Sequence, residues 1–349
     1  MKNAHHRIIA LPHQKKKLPK LTDDTIEEYR EKILAGGRKF KYPVQASKHK
    51  ILWISLATVL LALLVFAGWV YVALYHAQST DDFYYDVARI SPLPVANVDG
   101  QNANYGDYLR RLRADIFYYK TQENTDLTAK TNRKELNYNQ RKELNAAEML
   151  AYAQKIANAR HITISNDEVQ REIDQQLSAD KIDSGTLTRT LSSYYGWSMD
   201  EYRDAIRSQL LIQRVSFTVD TEAKSEADSI YKQLTSGADF ATLAKKYSDD
   251  QTSRDNGGEI DGRTDSKLTQ FMVAKSLKVG QTSKPAEYIG FDGTLGYVIV
   301  KLVSRDNDNL KIDVIQINLK QLMHDFDQLR HNHKISEYIS VPDSSSFAK

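Results

Sequence analysis

The stretch SEADSIYKQLTSGADFATLAKKYSDDQTSRDNGGEIDG, Ser225 to Gly262, decides the fold. Its apolar spacing predicts one helix from about Thr221 to Leu234, closed by Gly237, and a second from Asp239 to Tyr247 that buries Phe240, Leu243 and Ala244. Gly257-Gly258 then marks a turn whose backbone needs positive φ. Downstream, LTQFMVAKSLKVGQTSKPAEYIG (268–290) leads into GYVIVKLV (296–303), where Val298, Val300 and Leu302 alternate with Ile299, Lys301 and Val303 as a strand does. Helices and an antiparallel strand pattern thus share one segment, and the fold class is α+β. After Asp306 the sequence carries a short strand pattern and a helix around Leu319 to His331.

Upstream the pattern is helical from about 100 to 215. Val95 to Val98 is a short apolar stretch that meets the turn Asp99-Gly100 and leads into a helix containing Tyr108, Leu109, Leu112 and Ile116. A polar connection around 120–138 precedes a helix striped by Ala147, Leu150, Ala151, Ala153, Ile156 and Ala157. Ser165 with Glu168, and Ser198 with Glu201, have the spacing of capping boxes that open two more helices.

Further out lies Ile51 to Tyr75, 25 residues without a charge, flanked by Trp53 at one end and Trp69, Tyr71 and Tyr75 at the other. A bilayer core of ~30 Å needs about 20 helical residues, so this run predicts a transmembrane helix. The first 50 residues hold 13 Lys/Arg against 5 Asp/Glu, which leaves 35 against 40 for the remainder, +8 and −5 within a total of +3. Basic residues stay on the cytoplasmic side, which places the N-terminus inside and the larger part outside the cell membrane. Thr22 or Asp23 caps a short helix through Leu34, stopped by Gly36-Gly37. Lys15-Lys16-Lys17 reads as a retention signal with attraction to anionic lipid, rather than a nucleic-acid site. With 349 residues the chain supports several units, and with no cysteine it excludes disulfides, thiol catalysis, cysteine-ligated metals and a lipidated-cysteine anchor.

Three passages in order, VANVDG (95–100) before a helix, Ile156 to Ile173, and GWSMDEYRDAIRSQLLIQ (196–213), resemble the N-terminal helical domain of SurA-like chaperones. The segment from Gly237-Ala238-Asp239-Phe240 through Leu243-Ala244, Tyr247-Ser248, Gly257-Gly258-Glu259-Ile260, Leu277, Gly280, Ser283, Pro285 and Gly296-Tyr297 resembles the parvulin-type (PpiC) peptidyl-prolyl cis-trans isomerase domain. Together they imply a basic cytoplasmic tail at 1–50, the span at 51–75, a stalk at 76–94, a SurA-like helical domain at 95–215 and a parvulin-like antiparallel sheet with flanking helices at 216–305. A C-terminal strand and helix at 306–349 would pack back on the helical domain.

Prolyl isomerisation requires lowering a rotation barrier of ~18–20 kcal/mol by favouring the twisted amide. In the parvulin family the polar groups for this centre on two histidines, an Asp or Cys, and a hydroxyl, beside a slot of Met or Leu and Phe. The resemblance carries the first histidine, which opens the initial strand, onto Ser216, the second onto Val298 and the hydroxyl onto Leu295. Asp250 is the retained polar position and the candidate catalytic residue. Leu268, Phe271, Leu277 and Tyr297 are the candidate substrate-binding residues. All nine histidines lie outside 162–323, so this domain has no histidine pair of its own and the family's polar centre is largely lost. No metal or cofactor is implied: His331/His333, Asp249-Asp250 and Asp306/Asp308 lack metal-site spacing, and Gly257-Gly258 lacks the Lys-Ser/Thr of a phosphate loop.

The reading is a membrane-anchored extracytoplasmic folding factor. Its partners are unfolded or proline-containing exported polypeptides, the lipid bilayer through 51–75 and, as a further candidate, the secretion machinery, with no nucleic acid. The alternatives are an active isomerase with a non-histidine site and a non-folding envelope scaffold.

Overall fold

The computed structural model describes residues 22–41 and 48–342. The lysine cluster at 15–17 lies outside them. The chain divides into two compact units, Met1–Tyr71 and Val72–Lys349.

The first unit contains α1 (Asp23–Lys41) and α2 (Lys48–Tyr71). Contrary to the expected stop, α1 runs through Gly36 and Gly37 to Lys41. Nothing lies within 4 Å of a Cβ placed on either glycine, so no tertiary contact sets the helix end there. α2 presents its side chains uncovered from Ile51 to Trp69, and Val70 is buried. Its 21 residues from Ile51 to Tyr71 span about 32 Å at ~1.5 Å each, long and apolar enough to cross a membrane.

The second unit opens with a wide, π-helical turn at Val72–His76. Of the residues that close the expected span, Val72 is exposed, whereas Ala73, Leu74 and Tyr75 pack into this unit. Leu74 is fully buried, its carbonyl accepts the Tyr105 hydroxyl at 2.5 Å, and the Tyr75 hydroxyl donates to Pro94 O at 2.7 Å. The expected stalk at 76–94 is also corrected: it contains a docked helix, α3 (Asp82–Ile90), with Tyr85 and Ala88 buried. Arg113 lies over the Tyr85 ring and pairs with Asp82, and the Tyr85 hydroxyl donates to Glu201. An aromatic side chain with a hydrogen-bonding tip stabilises such docking through both ends.

β1 (Pro94–Val98) and β2 (Gln101–Asn104) form a hairpin across Asp99-Gly100, both at positive φ, as a tight two-residue turn requires. Asn104 then caps α4 (Tyr105–Gln122) by accepting from Gly106 N at 2.7 Å. α5 (Arg133–Arg160) starts inside the expected polar connection. α6 (Asn166–Asp180) and α8 (Met199–Val219) open with the two capping boxes at Ser165/Glu168 and Ser198/Glu201, with α7 (Ser184–Thr190) between them.

α9 (Thr221–Thr235) and α10 (Phe240–Tyr247) precede a four-stranded antiparallel sheet. Its strands are β3 (Glu259–Arg263), β4 (Ala286–Ile289), β5 (Leu295–Asp306) and β6 (Asn309–Asn318), in the order β3-β6-β5-β4. α11 (Thr269–Lys275) covers one face against Val298, Val300, Leu302, Ile312 and Val314. α9 and α10 cover the other against Tyr297, Ile299, Ile315 and Ile317. β6, which follows the expected domain limit at 305, is an inner strand of this sheet.

The chain then returns to the helices. α12 (Gln321–His331) sets Leu322 beside Ala153, Ala157 and Val215, and β7 (Ile335–Glu337) pairs with β1. Arg141 of α5 holds both carboxylate oxygens of Glu337 and the carbonyls of Val341 and Pro342. Two turns along α5, the fully buried Glu148 binds Arg330 of α12 at 2.7 Å, while its Oε1 has no partner. Burial and the charge of Glu337 push the Glu148 carboxyl up to about 7, against the opposing pull of Arg330 and Arg141. Asp220, 4% exposed, accepts Ala223 N at 2.9 Å at the start of α9 and Lys320 N and Gln321 N at 2.6 and 3.0 Å at the start of α12.

Two expected outcomes follow from these buried carboxylates. Asp220→Ala removes two helix caps at once and lowers unfolding stability by about 2 kcal/mol in urea titration. Glu148 binds its proton more tightly folded than unfolded, so its contribution is greatest below its ordinary value and is lost as pH rises through about 7. In Glu148→Gln the urea midpoint should fall less between pH 5 and pH 8 than in the parent; equal falls would remove the assignment.

Candidate substrate-binding face

The face of the sheet beneath α11 carries most of the candidate residues. Residue alternation sends Val298, Val300 and Leu302 of β5, and Ile312 and Val314 of β6, to this side. Leu268 is the N-cap of α11 and Phe271 lies in its first turn. Phe271 is 2% exposed, because Gly262 of β3 leaves room for it: a Cβ there would meet the ring at 2.1 Å. Phe271 is therefore core, and the apolar side chains that reach solvent along α11 are the half-buried Leu268 and Val273 and the exposed Met272. Leu277 packs on the same cluster at its other end, where Arg305 binds the carbonyls of Ala274, Lys275 and Leu277.

The other end of this face is polar. Val298 pairs directly with Gln316, and Gly296 with Asn318, so Gln316 and Asn318 continue the side begun by Ile312 and Val314. Gln316 Nε2 donates to Asn318 Oδ1 at 2.7 Å. β3 stops pairing at Asp313, and the loop after α10 takes over the edge of β6 from there. Gln316 N donates to Ser248 Oγ at 3.1 Å, Asp249 N donates to Gln316 O at 2.7 Å, and Asn318 N donates to Asp249 Oδ2 at 2.9 Å. Gly258 N–C=O follows the same edge, its carbonyl accepting Val314 N at 2.8 Å; its φ of 89° and a would-be Cβ 2.4 Å from Val314 O require glycine.

Asp250 sits in this loop, but its carboxylate is used locally. Oδ1 accepts from Thr252 N and Oγ1 at 3.0 and 2.7 Å, and Oδ2 accepts from Ser253 Oγ at 2.5 Å. Burial works to raise this carboxyl, but those hydrogen bonds prevail and hold it below the usual carboxylate range. An ionised carboxylate with both oxygens engaged organises its turn and has no proton to give. Tyr288 of β4 packs on the Val298 side, and burial with the charges of Asp292 and Asp250 holds its phenol above the ordinary value.

Three positions taken from the sequence lie elsewhere. Tyr297 points to the opposite face, since neighbouring strand residues alternate, and its ring meets Phe217 edge-on at 5.5 Å. It lines a separate groove of about 440 Å³ with Leu210, Phe217 and Ile289. Ser216 is not in a strand at all: it is buried in α8, its hydroxyl donating to Ile212 O. β6, which follows the expected domain limit, fills the sheet position beside β5. Leu295 begins β5 opposite Ile289, with no hydroxyl to offer. Gln316, Asn318 and Tyr288 were missed. The signal for the first two was present: IDVIQIN keeps apolar residues at Ile312 and Val314, then turns polar on the same side at Gln316 and Asn318. Among the described residues no group of three His, Asp or Glu is placed to hold a metal ion.

With this geometry in view, the helical body and the sheet define a chaperone-type helical domain coupled to a rotamase-type sheet. The SurA-like N-terminal domain matches residues 45–216 and the PPIC-type PPIASE domain of the rotamase family matches residues 211–304. The two matches adjoin, so that residues 45–304 resemble a SurA-like N-terminal domain followed by a PPIC-type domain. The foldase protein PrsA of Caldanaerobacter subterraneus subsp. tengcongensis is 28% identical over 160 residues, which cover 42% of this chain and 50% of that protein. The chaperone SurA of Hahella chejuensis is 26% identical over 144 residues, 40% of this chain and 31% of that protein. The periplasmic chaperone PpiD of Haemophilus influenzae is 32% identical over 103 residues, 29% of this chain and 16% of that protein. The chain spans half or less of the length of each of these three relatives.

Phe271→Ala should cost about 3–5 kcal/mol of stability, as deletion of a buried ring does. Gly262→Ala, which adds a methyl against the same ring, should cost about 1–3 kcal/mol in the same titration. A Phe271→Ala chain of parent stability would show that the ring is a free surface after all.

Proposed function

We propose that this chain is a membrane-anchored extracytoplasmic folding factor that binds unfolded exported polypeptides. α2 is its anchor, the basic tail is cytoplasmic and the helical and sheet bodies are outside. Its sheet body is an isomerase-type module whose polar centre lacks the family's histidines. The observation that carries this reading is the coupling of a SurA-like domain to a PPIC-type domain whose sheet offers Gln316 and Asn318 on the same side as Val298, the position onto which the resemblance carries the second histidine. The helical body then comprises 72–219 with the returning 319–342, and the sheet body 220–318.

The chemistry of the face agrees with binding. An apolar bed of the half-buried Leu268 and the exposed Met272 above the Val298 core, with a carboxamide pair on the same side of the sheet, suits a segment that presents apolar side chains and an unpaired backbone. A carboxamide donates and accepts hydrogen bonds without titrating near neutral pH, so it can hold a peptide carbonyl but not shuttle a proton. The second reading, an active isomerase with a non-histidine site, is favoured by the same pair, because a twisted prolyl amide needs fixed donors more than it needs a base.

Suppression of aggregation of an unfolded client and cis-to-trans conversion of a proline peptide, assayed on one preparation of the full chain in detergent, test the two readings together. Aggregation should fall at stoichiometric amounts, and isomerisation should stay at the buffer rate. No suppression would overturn the folding role and favour an envelope scaffold. Isomerisation above the buffer rate, lost in Gln316→Ala, would replace the binding module with an enzyme.

A further inference from the structure

α1 carries an apolar stripe that nothing in the described residues covers. Ile26, Tyr29, Ile33 and Leu34 are 48%, 61%, 71% and 53% exposed and fall on one side of the helix at three- and four-residue spacing. Glu27, Glu28, Glu31 and Lys32 occupy the other side, where Lys32 binds Glu28 at 2.6 Å. A helix sided in this way is stable in water only if its apolar face finds cover.

We propose that α1 lies along the cytoplasmic surface of the bilayer that α2 crosses, with its apolar stripe in the boundary between headgroups and acyl chains. This rests on the membrane reading above. The tether supports it first: six residues, 42–47, separate α1 from α2, and at ~3.3–3.6 Å each they reach about 20–25 Å. The C-terminal end of α1 is therefore held within about 25 Å of the start of α2, close to the headgroup layer. Pro43 lacks an amide donor and disfavours helix at Tyr42, so the sequence between the two helices does not favour one continuous helix.

Charge placement supports it next. The acidic residues Asp23, Asp24, Glu27, Glu28 and Glu31 precede the basic Arg38, Lys39 and Lys41, which adjoin the span with Lys48 and Lys50. Acidic first and basic last favours the helix dipole, and puts the cationic end where anionic lipid is nearest. Arg30 falls within the stripe, between Ile26 and Leu34, where its stem can lie among the apolar side chains while the guanidinium reaches up to a phosphate. A second copy of α1 is the weaker occupant, because the stripe covers only Ile26 to Leu34 and a coiled-coil seam runs over at least about three heptads.

The absence of cysteine makes the test direct. Ile33→Cys, Glu28→Cys and Leu61→Cys each give one labelling site for an environment-sensitive nitrobenzoxadiazole probe. The full chain is reconstituted in phosphatidylcholine/phosphatidylglycerol vesicles and quenched either by doxyl-labelled lipid or by iodide. The expected result is lipid quenching at 33 at least about twofold greater than at 28, with the reverse order for iodide on the cytoplasmic-equivalent side. Lipid quenching at 61 together with iodide access at 33 would overturn the surface helix and leave the anchor standing. No lipid quenching at 61 would overturn the membrane reading beneath it. Self-quenching at 33 that grows with the protein-to-lipid ratio would assign the stripe to a second copy and also overturn the proposal.

Discussion

The carboxylate of Asp220 holds the two places where the chain passes between its helical and sheet bodies. One oxygen takes the Ala223 amide in the first turn of α9 on the way out, and the other takes two amides at the start of α12 on the way back. Both helix N-termini direct their positive ends at one buried charge, which is the arrangement a helix dipole favours. Because exit and return are pinned together, the sheet body is an insertion closed at its neck. The return also delivers α12 and β7 onto α5 and β1, where Arg141 and Glu148 fix them.

The same neck determines the chemistry of the sheet face. The chain reaches it only after β6 has run the length of β5, so the inner strand beside β5 is the last of the sheet rather than a first one. β6 then turns Ile315 and Ile317 toward α9 and α10, and Val314, Gln316 and Asn318 toward the α11 side. Ser248 and Asp249 complete its edge beyond β3. Gln316 and Asn318, the carboxamides of the candidate face, thus come from a segment outside the 211–304 family match.

Local readings of the sequence agree with the structure where the cause was local. The capping boxes at Ser165 and Ser198, the Asp99-Gly100 turn, the burial of Phe240, Leu243 and Ala244, and positive φ at Gly257 and Gly258 all depend on residues a few positions apart. Readings that needed a distant partner did not. The polar 76–94 segment became a docked helix because Arg113 and Glu201 receive Tyr85 and Asp82 from elsewhere in the chain. Phe271 became core because Gly262, nine residues away and on another element, leaves the space. Asp250 was recognised, but its engagement by Thr252 and Ser253 makes it a turn organiser.

By itself the sequence determined the helix starts, the turns, the apolar span-length helix and the lack of any histidine between 162 and 323, since each depends on composition or on spacing within a few residues. Only the tertiary structure decided that β6 lies beside β5, that Gln316 stands opposite Val298 and that Tyr297 faces away from both. The reason is the period of two along a strand: register is fixed by long-range pairing, and a shift of one residue would exchange the two faces.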